Sequence, residues 1–239
     1  MKNTPPWARA EMQAVMKKQS ACAILFFMKS PTPAEKISHP IPPVWNCESR
    51  ILLLGTMPSP ASRRAGFFYM HGQNRFWRVL FAVFGEELTY TNKGFFIKAD
   101  SEKAESEKSA KAHAQAQAAM LERAGLAAAI KERRDFLIRH HIALWDVLAS
   151  CEIEGAADAS IKNATPNDFT EIFEKSRIRR VSCTGKTAFA LWQKHCADTY
   201  EERFNLTSQC LPSTSPANAA WSLERLIEAY SVLRKGLQE

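Results

Sequence analysis

The fold is indicated first by Ile51-Leu52-Leu53-Leu54-Gly55, a short apolar run that ends at a glycine. A run that is too short for a helix and apolar throughout is typical of a parallel strand buried on both faces. Similar runs recur at residues 142–147, 178–183 and 209–211, and helix-like segments lie between or after them at residues 74–84, 132–140, 186–195 and 223–236. Because strands and helices alternate, we predict a three-layer α/β/α fold around a central, mainly parallel sheet of four strands.

The composition limits the class of protein. Of the 239 residues, 46% are hydrophobic, which is enough for a sizeable core and excludes wholesale disorder. Lys and Arg number 32 against 25 Asp and Glu, and the resulting charge of +7 is compatible with a polyanionic partner such as nucleic acid. The longest strongly apolar run, residues 21–28, is shorter than the roughly 20 residues that span a bilayer. We therefore expect no membrane partner.

The cysteines give no sign of a metal site. There are six, with neither a CxxC pair nor a Cys/His cluster at the spacing of zinc ligands. Several adjoin apolar residues, so we interpret them as reduced core thiols of an intracellular protein.

Two stretches depart from the alternating pattern. Residues 1–36 mix Pro, Lys and a short apolar patch without periodicity, and we interpret them as a flexible N-terminal extension. Residues 100–130 are rich in Ala, Glu, Lys and Gln and predict a polar, solvent-exposed helical insertion, with a partner-binding role left open. Residues 37–239 then form the folded domain that contains this insertion.

Two segments carry side chains suited to chemistry, and both follow predicted strands at the edge where parallel sheets bind ligands. The first segment, residues 55–77, contains GTMPS and GFFYMHGQNRFW. Its arginines suit phosphates, whereas its aromatic rings and amides suit a planar base. The second segment, residues 211–218 (LPSTSPAN), offers hydroxyl and amide groups to phosphates or base edges. Taken singly, Phe76 and Trp77 of the first segment are better interpreted as core aromatics, and the second segment as an ordinary turn.

Taken together, the two segments and the following SLERLIEAY resemble the uracil-DNA glycosylase superfamily, and within it the hypoxanthine (deoxyinosine) DNA glycosylase branch. Supporting stretches occur in the expected order at residues 37–40 (ISHP), 143–148 (ALWDVL) and 185–188 (GKTA). The resemblance implies a monofunctional enzyme of base excision repair. Such an enzyme flips a deaminated base out of DNA and hydrolyses its N-glycosidic bond, without a metal or other cofactor. Hypoxanthine is the expected base, with uracil or xanthine as alternatives.

The resemblance also implies roles for single residues. Asn74 matches the catalytic asparagine of the branch. Its amide oxygen can orient a water and its NH₂ can donate to a base carbonyl, and capping of the next helix is the alternative role. Tyr69 matches the aromatic that stacks on the flipped base, and Asp146 lies where relatives carry a base-reading side chain. Gly55, Thr56 and Met57 complete the expected base-binding set.

Two positions depart from the pattern of relatives. Met57 occupies the place where mismatch-specific uracil glycosylases position the water with an asparagine, and a thioether cannot do this. Ala217 stands where relatives often carry a leucine wedge, so single-stranded or mispaired sites should be favoured. Arg63, Arg64 and Arg75 are candidates for contacts with the DNA backbone. The expected DNA-binding residues are Pro58, Ser59, Lys186, Ser213, Ser215, Ala217 and Asn218.

Other functions remain open at this stage. A nucleic-acid-binding module could retain this fold without turnover, whereas an unrelated nucleotide-binding α/β enzyme fits the sheet but not the paired segments. For the leading interpretation, the expected partner is DNA containing deaminated bases, the expected state is a monomer, and the expected location is the cytoplasm, with the DNA.

Overall fold

The computed structural model describes residues 35–90, 110–154 and 157–237. The strands in chain order are β1 (Glu35–Ser38), β2 (Ile51–Gly55), β3 (Ile142–Asp146), β4 (Leu148–Ile153), β5 (Lys162–Pro166), β6 (Arg180–Thr184) and β7 (Thr207–Leu211). The α-helices are α1 (Pro60–Ala65), α2 (Phe76–Phe84), α3 (Ala110–Arg139), α4 (Thr170–Lys175), α5 (Lys186–Trp192), α6 (Asp198–Phe204) and α7 (Leu223–Gly236).

The predicted parallel sheet is confirmed, with the strand order β3-β2-β6-β7. All five residues of β2 are buried. Ile51 and Leu53 belong to a core shared with α2, α7 and the last turns of α3, whereas Leu52 and Leu54 belong to a core shared with α4, α5 and α6. Helices therefore cover both faces of the sheet, as the continuous apolar run predicts.

A second, antiparallel sheet of order β1-β4-β5 was not predicted from the sequence. It begins directly after β3, since only Val147 separates β3 from β4. Its strands mix buried and exposed residues, so they lack the uniform apolar signal of the central strands. This sheet matters for the site because the β4–β5 connection includes a short 3₁₀ helix, Asp158–Ser160.

The helix boundaries differ from the predictions in several places. α2 begins at Phe76, two residues after the predicted start, and α7 matches its predicted range, with the Ser222 side chain accepting from Arg225 N–H as its cap. α5 ends at Trp192, where a π-helical turn, Gln193–Ala197, leads into α6. α1 was not predicted; Pro60 occupies its first turn and Ser59 caps it.

The two unusual stretches are only partly described. Residues 1–34 and 100–109 lie outside the described residues, and Glu35 and Lys36 begin β1. α3 runs from Ala110 to Arg139, so the rest of the predicted insertion and the predicted helix at 132–140 form one helix. No helix in the described ranges has the length and apolar character needed to cross a bilayer.

The interpretation of the cysteines as core residues is only partly correct. Cys151, Cys183 and Cys196 are buried, and burial raises the pKa of each thiol. Cys47 and Cys210 are exposed. Cys47 lies in a turn and Cys210 lies on β7 at the edge of the parallel sheet, where neighbouring apolar residues do not ensure burial.

Candidate active site

A cavity of about 520 Å³ opens at the carboxyl ends of β2, β3 and β6, the edge at which parallel α/β sheets bind ligands. Its volume falls within the range of roughly 300–1,000 Å³ that is usual for small-molecule sites. Among the residues expected from sequence, those that line it are Gly55, Thr56, Met57, Pro58, Ser59, Arg63, Tyr69, Asn74, Asp146, Ser215 and Ala217. Lys186, Ser213 and Asn218 are not part of its lining.

The buried wall of the cavity depends on contact between Asp146 and Gly55. These residues are partners in the last rung of the β2–β3 pairing. A Cβ atom at position 55 would lie 2.1 Å from Asp146 Oδ1 and 2.8 Å from the hydroxyl oxygen of Tyr69. Because glycine has no side chain, it alone leaves room for the carboxylate and the phenol.

Asp146 is held by a histidine that follows β1. His39 Nε2 lies 2.9 Å from Asp146 Oδ2, and both side chains are almost fully buried. Ile41 N–H donates to His39 Nδ1, so the ring proton resides on Nε2, which donates to the carboxylate. Asn167 Nδ2 donates to the main-chain oxygen of Asp146. The acidic group is therefore oriented, and its charge is partly compensated.

Tyr69 provides an aromatic surface in the cavity wall. Its ring stacks on Phe76 at a centroid distance of 3.9 Å, and its backbone φ is +55°, a value that few residues other than glycine adopt. Thr184 Oγ1 donates to Leu54 O, so the Tyr69 hydroxyl donates to Thr184 Oγ1, at 2.6 Å. Burial, and then the charge of Asp146, raises the pKa of the phenol. Tyr69 therefore remains neutral at physiological pH.

Asn74 is fixed by two hydrogen bonds to its side-chain oxygen. Oδ1 accepts from Phe76 N–H at 2.9 Å and from the Thr214 hydroxyl at 3.0 Å. Because a backbone N–H can only donate, the amide has one orientation, and both lone pairs of Oδ1 are engaged. Its Nδ2 has no protein partner within the described ranges. The N-cap position of α2 is Arg75, not Asn74, but Asn74 combines a bond to the first N–H of α2 with a free donor in the cavity wall.

Arg75 joins the first segment to the second. Its guanidinium donates to the main-chain oxygens of Thr214, Ser215, Asn218 and Trp221. Its backbone N–H also donates to Thr214 O. We considered Arg75 as a contact for the DNA backbone, but its donors are used within the protein, and its role in the structure is to hold the second segment.

Other expected DNA-binding side chains also make internal hydrogen bonds. Ser59 Oγ accepts from Ser62 N–H at the start of α1. Ser213 Oγ accepts from Ser215 N–H and Ser215 Oγ accepts from Ala217 N–H, while Asn218 Nδ2 donates to Ser213 O. These bonds define the conformation of the second segment and leave Ala217 exposed at the rim of the cavity.

Asp158 brings a second carboxyl group to the cavity, and sequence reasoning missed it. Its Oδ2 accepts from Thr56 Oγ1 at 3.1 Å. Surrounding protein atoms raise the pKa of this carboxyl; the Thr56 hydroxyl lowers it and the charge of Asp146 raises it further.

Two other residues of the site were missed as well: His39 was quoted only as part of a resembling stretch, and Thr184 was not named. Thr184 alone had a usable signal, as a polar residue at the end of a buried strand.

Comparison with known proteins identifies the family and supports the fold. The sequence profile of the uracil DNA glycosylase superfamily matches residues 42–234, which is well over half of the chain. The chain belongs to this superfamily. A solution NMR structure of a candidate uracil DNA glycosylase from Methanosarcina acetivorans matches with a TM-score of 0.58 at 23% identity, covering 86% of this chain and 100% of that one. This match supports the superfamily's fold.

Two relatives carry the name hypoxanthine DNA glycosylase. The protein from Methanosarcina barkeri is 28% identical over 129 residues. These residues cover 54% of this chain and only 58% of the relative. The protein from Methanosarcina acetivorans is 26% identical over 199 residues, which cover 83% of this chain and 99% of the relative.

The first prediction concerns the close approach at position 55. Gly55→Ala should lower the free energy of unfolding by about 2 kcal/mol, because the new methyl group overlaps Asp146 Oδ1. In an Asp146→Ala background, the same change should cost less, since the overlapping oxygen is absent. Chemical denaturation of the four proteins of this double-mutant cycle measures the difference.

Gly66→Ala is the matched control. Gly66 has a φ of +67° and a Cβ there meets no atom within 4 Å, so this change should cost about 1 kcal/mol through backbone strain alone. The Asp146→Ala background should leave that cost unchanged. Equal costs of Gly55→Ala in both backgrounds would contradict the assigned contact.

The second prediction concerns the link between the two segments. Arg75→Lys should lower the free energy of unfolding by about 2 kcal/mol, because an ammonium group cannot reproduce a guanidinium fork over several carbonyl oxygens. Arg78→Lys, an exposed change on α2 three residues later, should stay within about 0.5 kcal/mol of the wild type. Urea denaturation of the three proteins tests this, and similar stabilities for both variants would refute the role given to Arg75.

Proposed function

We propose that this protein is a monofunctional DNA glycosylase of base excision repair. It hydrolyses the N-glycosidic bond of deaminated bases, with deoxyinosine as the preferred substrate and deoxyuridine or deoxyxanthosine as alternatives. Superfamily membership and the names of the two Methanosarcina relatives support the reaction class. We expect it to act as a monomer on cytoplasmic DNA, without a cofactor.

The observation that carries the proposal is the pairing of a donor and an acceptor in one cavity. Asn74 contributes an NH₂ whose orientation is fixed, and Asp146 contributes a carboxylate. Hypoxanthine has a carbonyl oxygen beside an N–H on its Watson–Crick edge, and this pattern is complementary to both groups. Adenine has the inverse pattern, an amino group beside an unprotonated nitrogen, and would leave both Asn74 Nδ2 and the Asp146 carboxylate without a partner on the base. Unpaired polar groups of this kind give strong discrimination.

The same groups suit the transition state of the reaction. As the glycosidic bond breaks, negative charge develops on the departing base and positive charge on the sugar. Asn74 Nδ2 can donate to the base carbonyl that gains charge. The bond from His39 reduces the repulsion that the Asp146 carboxylate would otherwise exert on a departing anion. Tyr69 offers its ring to the flipped base, supported from behind by Phe76.

The third prediction tests both the reaction and Asn74. The purified protein should release base from a deoxyinosine oligonucleotide under single-turnover conditions and leave a matched deoxyadenosine oligonucleotide intact. Asn74→Asp should slow release roughly 100- to 1,000-fold, because aspartate can still accept from Phe76 and Thr214 but cannot donate to the base. Asn74→Ala should be equally slow and about 1 kcal/mol less stable, since it also loses the bonds from Phe76 N–H and the Thr214 hydroxyl.

The outcomes separate the alternatives. An Asn74→Asp enzyme with an undiminished rate would mean that Asn74 works through its oxygen, by orienting water. DNA binding without product from deoxyinosine, deoxyuridine or deoxyxanthosine, in single strands and in duplexes, would indicate a binding module and overturn the proposed activity.

The fourth prediction concerns the missing wedge. Ala217 is exposed at the cavity rim, so little fills the space left by a flipped base, and release from single strands should exceed release from stable duplexes. Ala217→Leu should raise the duplex rate roughly tenfold, because a buried leucine offsets part of the unstacking cost. Ala219→Leu, exposed in the same loop outside the cavity lining, is the control. No change in the duplex-to-single-strand ratio for Ala217→Leu would refute this.

A further inference from the structure

The reaction needs an acceptor that holds the attacking water, and the expected candidates are unsuitable. Met57 has only a thioether. Asn74 Oδ1 already accepts two hydrogen bonds. His71 lines the cavity, but its Nδ1 already accepts from Gln73 N–H. Asp146 Oδ2 accepts from His39, and the same carboxylate is assigned to the N–H of the base in the proposed function.

Asp158 has the properties that these groups lack. Its Oδ2 accepts from Thr56 Oγ1. This bond fixes the carboxyl group close to Met57, the next residue in the chain. Its Oδ1 has no hydrogen-bond partner in the part of the chain that the structure describes. The residue is exposed at the cavity wall together with Ala157 and Ala159. A water in the cavity would therefore meet a carboxyl group that is already oriented.

We propose that Asp158 is the catalytic base that orients and deprotonates the attacking water, an inference that rests on the proposed glycosylase activity. The bond between C1′ and the base nitrogen breaks, and its electron pair leaves with the base. The water oxygen forms a bond to C1′ and its proton passes to Asp158 Oδ1. The base takes up one proton from solvent and Asp158 returns one to solvent. One water is consumed, and the products are an abasic sugar and the free base.

The surroundings of Asp158 make it a better base than an ordinary surface carboxyl group. The protein atoms around it, together with nearby Asp146, raise its pKa toward the working pH, although Thr56 opposes this shift. A general base is most effective when its pKa lies near the pH of the reaction. The two carboxylates thus divide the work, with buried Asp146 facing the base and exposed Asp158 holding the water.

The test compares Asp158→Asn and Asp158→Ala with the wild type on a deoxyinosine oligonucleotide. Asparagine can still accept from Thr56, so a structural role predicts a near-normal rate for Asp158→Asn. Loss of the base instead predicts a rate roughly 100- to 10,000-fold lower in both variants. Binding to an oligonucleotide with 2′-fluoro-2′-deoxyinosine, whose glycosidic bond resists hydrolysis, should remain within about twofold of the wild type. Asp198→Asn, exposed on α6 outside the cavity lining, is the control for charge removal.

Rescue by a small carboxylate gives the decisive readout. Formate should accelerate Asp158→Ala by at least roughly tenfold, because it can occupy the space of the deleted carboxyl group, and it should leave Asn74→Ala unchanged. A near-normal Asp158→Asn enzyme, weakened binding of the fluorinated oligonucleotide, or no rescue by formate would overturn the assignment. An inactive wild type would overturn the proposed function itself, so the two failures are distinguishable.

Discussion

The contact between the Asp146 carboxylate and the backbone of Gly55 is the constraint on which the cavity depends. The two residues end neighbouring parallel strands in register, and the missing side chain at position 55 lets the carboxylate lie across the end of β2. From this position it reaches His39 and lies beside Tyr69, which in turn bonds to Thr184 at the end of β6. Three strand ends are thus connected through one small residue.

A second set of bonds brings the two loop segments into the same wall. Arg75 and Asn74 are adjacent in sequence and both contact the second segment. Arg75 donates to its carbonyl oxygens, and Asn74 accepts from the Thr214 hydroxyl. A cation that makes several bonds to carbonyl oxygens gives a loop a defined conformation without a hydrophobic core of its own. Arg75, which does not line the cavity, therefore supports the segment that carries the cavity residues Ser215 and Ala217.

The sequence contained enough information for the parallel sheet, for α7 with its Ser222 cap, and for about half of the residues that line the cavity. These features depend on local patterns, such as the apolar run at residues 51–54 and the glycine after it. His39 and Asp158 were missed because their hydrogen-bond partners are 107 and 102 residues away in the chain. The second sheet was missed because its short strands are partly exposed.

The hydrogen bond from Phe76 N–H to Asn74 Oδ1 has a consequence for fidelity. An asparagine free to rotate by half a turn could present either its oxygen or its NH₂, and would accommodate an amino group as readily as a carbonyl group. Rotation here would oppose an NH₂ to a backbone N–H and leave the Thr214 hydroxyl without its acceptor. For the proposed reaction, the protection of undamaged adenine therefore depends on the backbone N–H of Phe76. Among substitutions of Phe76, only proline would remove this N–H.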